Sequence, residues 1–125
     1  TKKILEMSRL DCFSSIPSSK LSIEKRKWLD LARVLATEPK LLMMDEVMAG
    51  LNPNEMDESL EFVREINRMG ISILFIEHVM RAVVSVCTRA IVLNEGRFLF
   101  CGTPSDALND PAVIAAYIGG EKVKC

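Results

Sequence analysis

An α/β fold built on parallel strands is what this sequence predicts, and three observations predict it. The apolar run Leu41-Leu42-Met43-Met44 ends in two adjacent acids, Asp45 and Glu46, as a buried parallel strand does when it delivers carboxylates to the carboxyl edge of an open sheet. A second apolar run, Ile71 to Ile76, ends in Glu77 and His78. Between the two, Asn52-Pro53 opens an amphipathic stretch that Gly70 closes. Strand, helix and strand in that order make a βαβ unit, with parallel neighbouring strands joined by a right-handed crossover. Both strands then aim polar groups at one edge.

Lys2 to Leu10 reads as a helix, and Ser14 to Ser19, with Pro17 inside it, as a loop. Ser22 is the N-cap of a helix running from Ile23 to Ala36, in which Trp28, Leu31, Ala32 and Leu35 share one face. Pro39 introduces the Asp45 strand. Asn52, Pro53 and Glu55 then supply an N-cap side chain, a proline at the first helical position and an acid in the first turn. Met56, Leu60, Val63 and Asn67 follow at helical spacing. A shorter helix over Val79 to Val86 leads to the strand Ala90-Ile91-Val92-Leu93, and Asn94-Glu95-Gly96 turns a hairpin into Arg97-Phe98-Leu99-Phe100. Thr103-Pro104 and Asp110-Pro111 repeat the cap-plus-proline device and open two short helices, the second closed by Gly119-Gly120.

The 125 residues are 49% hydrophobic, enough material for one core. A net charge of −1 gives no footprint for nucleic acid or an anionic membrane, and Lys25-Arg26-Lys27 reads as a solvated helix face. No apolar stretch approaches the roughly twenty residues that cross a bilayer. Cys12, Cys87, Cys101 and Cys125 lack metal-ligand spacing and read as reduced thiols of a cytosolic protein. The seven methionines, among them Met43, Met44, Met56 and Met69, read as gap-filling core.

Taken alone, Asp45-Glu46 is open to two readings: acids that cap or face solvent at a strand end, or a site for metal and phosphate chemistry. A lone His78 has the same ambiguity. The order of features around them resembles the carboxyl-terminal half of an ABC transporter ATPase, in particular the ATPase subunits of branched-chain amino acid importers. Leu21-Ser22-Ile23-Glu24-Lys25 stands at the signature position, Leu41 to Glu46 looks like the Walker B strand, and Ala49 to Asn52 looks like the D-loop. His78 stands at the switch histidine, and the tail from Gly102 through Asp110-Pro111 to Gly119 is similar to the importer branch. The resemblance runs from Leu21 to Gly119 and implies a partial P-loop NTPase core of the ABC/RecA-like kind, with parallel strands, a C-terminal hairpin and short helices. Residues 1–39 would be the remnant of the helical subdomain, and 40–125 part of the catalytic core.

The resemblance implies ATP and Mg²⁺ as cofactors. Asp45 would hold the magnesium ion, Glu46 would be the base or water-orienting group, and His78 would contact the γ-phosphate and attacking water. Ser22, Ile23 and Glu24 at a helix N-terminus, with Asn52 of the D-loop, would face phosphates held by a second ATPase subunit in a head-to-tail dimer. Transmembrane permease subunits would be the other partners, placing the protein at the cytoplasmic face of the membrane with no nucleic acid involved.

The sequence departs from that pattern at Ile23 and Glu24, where glycines are usual, at Val47, where proline is common, and at Asn52, where aspartate is usual. It contains no G-x-x-x-x-G-K-[ST] run, the backbone cradle and lysine for phosphates. A fragment or processed product is therefore the expectation, inactive in isolation, with an unpaired sheet edge that makes the chain poorly stable, self-associating or dependent on its amino-terminal complement. The alternative is a degenerate, non-hydrolysing remnant serving as a regulatory or dimerisation module. A phosphoacceptor domain using Asp45 needs an earlier acid pair and a later lysine at strand ends, and neither is evident.

Overall fold

In the computed structural model, which describes residues 2–117, β1 (Leu41–Asp45) and β2 (Ser72–Ile76) lie parallel and in register from Leu41↔Ser72 to Asp45↔Ile76. The crossover between them is α3 (Pro53–Arg68). Its start is fixed by the expected residues: the Asn52 side chain accepts from the N–H groups of Asn54 and Glu55, the Glu55 carboxylate accepts from Asn52 N–H, and Pro53 fills the first helical position. Gly70 (φ 85°) stands just past its end.

Before this unit come α1 (Lys2–Met7), single 3₁₀ turns at Asp11–Phe13, ahead of the expected Ser14–Ser19 loop, and at Ser18–Lys20, overlapping its end, and α2 (Ile23–Leu35). α1 stops short of Leu10 because Arg9 is left-handed (φ 52°). On α2 the buried positions are Glu24, Trp28, Ala32 and Leu35. Trp28 stacks at a tilt on Phe62 (5.7 Å between centroids) and donates its indole N–H to Ser59 Oγ (3.1 Å). On α3 the buried face is Ser59, Leu60, Phe62, Val63 and Ile66, whereas Met56 is half-buried and Asn67 exposed. With Met44 and Met48, these side chains form the core of the stretch up to His78, the first of two compact units. α2 is thus built into the same core as β1 and α3.

The second unit, from Val79, contains α4 (Met80–Val86), the antiparallel pair β3 (Ala90–Asn94) and β4 (Arg97–Gly102), α5 (Pro104–Asn109) and α6 (Pro111–Tyr117). Glu95 (φ 49°) and Gly96 (φ 74°) are both left-handed, the geometry of a type I′ hairpin turn. A bulge falls between Val92 and Leu93. The Tyr117 hydroxyl donates to Leu93 O (2.7 Å), tying α6 to the hairpin. The expected Gly119-Gly120 stop lies outside the described residues.

Three expectations need correction. β1 is expected as a buried strand, yet only Leu42 and Met44 are buried, while Leu41 (56% exposed) and Met43 (65%) face outward, joined across the register by Leu74 and Ile76 (46% each). Likewise Met43 and Met69 are not core fillers but exposed. Nor is the basic run wholly a solvated face: Arg26 is exposed, but Lys25 and Lys27 are half-buried. Lys25 Nζ lies 3.9 Å from the Trp28 ring centroid, Arg26 donates to the carbonyls of Ser19 and Leu21, and Lys27 donates to those of Val47 (2.9 Å) and Ala49.

Candidate active site at the carboxyl edge of the parallel strands

β1 ends at Asp45, and the chain then turns sharply because Glu46 adopts a left-handed conformation (φ 48°), unfavourable for a residue with a side chain. Glu46 N–H still continues the ladder, donating to Ile76 O (2.9 Å). The turn lifts the Glu46 side chain off the strand, with its carboxylate Oε1 3.5 Å from His78 Nδ1, both side chains about three-fifths exposed. Glu46 and His78 therefore meet at the edge where Asp45 ends β1, and the Glu46–His78 contact joins the ends of two different strands.

Two further side chains, not picked out by sequence reasoning, hold the turn. Glu77 Oε1 accepts the Met48 N–H (2.8 Å), and from the other side Lys27 clamps the Val47 and Ala49 carbonyls. The other oxygen of Glu77, Oε2, is buried without a hydrogen-bond partner. The only sequence signal for Glu77 is a charged residue where an apolar strand ends, the same signal that marks His78.

Ser22 and Ile23 form a separate exposed patch at the start of α2. Ser22 Oγ accepts from Lys25 N–H (3.2 Å), a normal N-cap, and Ile23 is 68% exposed. Glu24 differs from its neighbours: it is 8% exposed and pairs with Lys25 Nζ at 3.7 Å, so its carboxylate does not project into solvent beside Ser22. The Asn52 side-chain oxygen is already engaged in the α3 capping box.

A carboxylate at an exposed strand end suits a hard cation such as Mg²⁺, which takes few protein oxygens and completes its shell with water and phosphate. Among the described residues no group of three or more His, Cys, Asp or Glu side chains could hold a metal ion by itself. Glu46, beside an imidazole and open to water, can accept a proton from a water molecule. No helix among the described residues is long and apolar enough to cross a membrane.

Comparison with known proteins agrees with this architecture. A family model described as a branched-chain amino acid ATP-binding cassette transporter matches residues 99–123. The chain is 42% identical over 103 residues to the high-affinity branched-chain amino acid transport ATP-binding protein LivG of Salmonella typhimurium, covering 82% of this chain and 40% of that protein. It is 35% identical over 116 residues to BraF of Pseudomonas aeruginosa, a protein of the same description, covering 92% and 46%. In structure it is similar to the ADP conformation of an ATP-binding cassette of an ABC transporter, with a TM-score of 0.86 and 31% identity, covering 94% of this chain and 48% of that one. The chain thus spans less than half the length of these relatives.

Proposed function

We propose, from the premise that this chain is homologous to the carboxyl-terminal part of branched-chain amino acid ABC transporter ATPases, that it serves an ATP-hydrolysing subunit energising amino acid import. The observation that carries this reading is the contact of Glu46 with His78 at the edge where Asp45 ends β1. Bound magnesium-ATP would supply the electrophilic phosphoryl group and neutralise its charge. Asp45 would hold the ion through oxygen. Glu46 would orient the attacking water and take its proton, and His78 would steady the Glu46 carboxylate while reaching the terminal phosphate. The exposed start of α2 at Ser22 would meet phosphates held by a second subunit, the backbone N–H groups and helix dipole favouring the anion. The P-loop that hydrolysis also needs is not in these 125 residues and must come from outside them. By motif, residues 1–39 would be helical-subdomain remnant and 40–125 catalytic core. Permease partners and a place at the cytoplasmic face follow from the importer reading.

Glu46→Gln, made in the protein with its P-loop segment, tests this. Removing a positioned base costs about 10²- to 10⁴-fold in rate, so the variant should bind ATP and hydrolyse it at least about 100-fold more slowly; undiminished turnover would sink the assignment. A second reading, a non-hydrolysing regulatory module, is favoured by the exposed Ile23 side chain where glycine would let phosphate approach the α2 backbone. Absence of Mg-ATP hydrolysis by the unmutated protein would select it.

A further inference from the structure

We infer that Glu77 is a positioning residue that sets Glu46 against His78. The Glu46 turn is tied to the end of β2 by two hydrogen bonds in succession: Glu46 N–H to Ile76 O (2.9 Å), then Met48 N–H to the Glu77 side chain (2.8 Å). The first belongs to the backbone ladder. The second lies past the left-handed Glu46 and beyond the end of β1, where the Met48 N–H is held by a side chain from the end of β2 rather than by its backbone. Glu77 is also covalently adjacent to His78. One side chain therefore grips the turn that carries Glu46 while its own backbone carries the imidazole that Glu46 meets at 3.5 Å.

The chemistry of Glu77 fits this duty. One carboxyl oxygen holds the Met48 N–H, but the other is buried with no hydrogen-bond partner. A buried polar atom left unpaired is unfavourable. An apolar side chain here would leave the Met48 N–H without its acceptor, so what Glu77 contributes is an acceptor at one place. Lys27 holds only carbonyls of the same turn and cannot substitute for an acceptor facing Met48 N–H.

Three variants test this in the protein with its P-loop segment. Glu77→Gln keeps an oxygen of the same reach. Glu77→Met keeps length and volume with no oxygen, and Glu77→Asp keeps the acid but is one methylene too short. A misplacement of about 1 Å at a reacting group costs up to about 100-fold in rate. Met and Asp should therefore lower kcat by about 10- to 100-fold with KM for ATP within about threefold, and Gln should stay within about threefold of the unmutated protein. Equal losses in all three variants, or none in any, would overturn the inference, and so would a loss that appears in KM.

The activity arm rests on the ATPase reading; a second arm does not. The His78 imidazole resonances, assigned by their loss in His78→Gln, should shift on Glu46→Gln in the unmutated and Glu77→Gln backgrounds. In the Met and Asp backgrounds that response should be lost. A protein without ATPase activity that still shows this pattern would refute the proposed function and leave the role of Glu77 standing. An undiminished response in either of those two backgrounds would refute the role itself.

Discussion

Glu46 occupies a conformation that costs on the order of 1 kcal/mol for a non-glycine residue and persists only where its surroundings impose it. Here they are Ile76 O, the Glu77 side chain and the Lys27 ammonium, each bound to a backbone group of the turn or its ends. This explains which site residues could be read from sequence. Asp45, Glu46, Glu77 and His78 all stand where an apolar run stops, and that signal places them at the edge. What Glu77 and Lys27 do there is not legible, because they bind backbone atoms that only the fold brings near, and no side-chain pairing in the sequence announces such a contact. A prediction at this scale concerns the thiols. Burial pushes the Cys87 thiol up from its ordinary value, whereas Cys12 and Cys101 are exposed. Since the thiolate is the nucleophile, a raised pKa leaves less of it at any pH below that value. Iodoacetamide at mildly alkaline pH should therefore modify Cys12 and Cys101 at least about fivefold faster than Cys87, as followed by peptide mass spectrometry; equal rates would contradict the burial of Cys87.

Helix starts were the most legible elements, since their causes are local. Asn52-Pro53 and Thr103-Pro104 each place an N-cap acceptor and a proline where the structure begins α3 and α5. The inward faces were less legible. Glu24 lies on the buried face of α2 with Trp28 and Ala32, and Ser59 takes a buried place on α3 because it accepts the Trp28 indole N–H, a long-range pairing that periodicity does not carry. Strand burial was misread for a related reason: a continuous apolar run is compatible with cover on both faces, and β1 has it on one. The α3 start yields a quantitative expectation. Asn52→Ala removes the acceptor of two N–H groups and breaks the reciprocal Glu55 bond, which should lower stability by about 1 kcal/mol. Asn52→Asp retains the acceptor and should lose little. Urea unfolding of the two variants side by side decides this, and an Ala variant as stable as the Asp variant would show that the capping box does not matter.

At the scale of the molecule, the outward face of the parallel pair is the feature that has consequences. Leu41, Met43, Leu74 and Ile76 share that face across the β1–β2 register and are all about half exposed or more. β1 and β2 also form a sheet of only two strands among the described residues, each with one edge free of strand partners. A bare apolar face beside unpaired N–H and C=O groups is adhesive in water, through burial of the face and through strand addition at the edges. The 125-residue chain purified by itself should therefore self-associate, as sedimentation velocity would record, and should become monomeric when a segment that covers the face is supplied. Met43 and Leu74 stand opposite each other in the register, so Met43→Lys combined with Leu74→Glu places complementary charges across the two strands and makes the centre of the face polar. Neither side chain is buried, so the double variant should keep its helical circular dichroism while its monomer fraction rises. Association that persists undiminished would move its cause from the face to the edges. A monodisperse monomer of the unaltered chain, melting sharply and reversibly, would show that the half-exposed face is tolerated and that the chain folds without further cover.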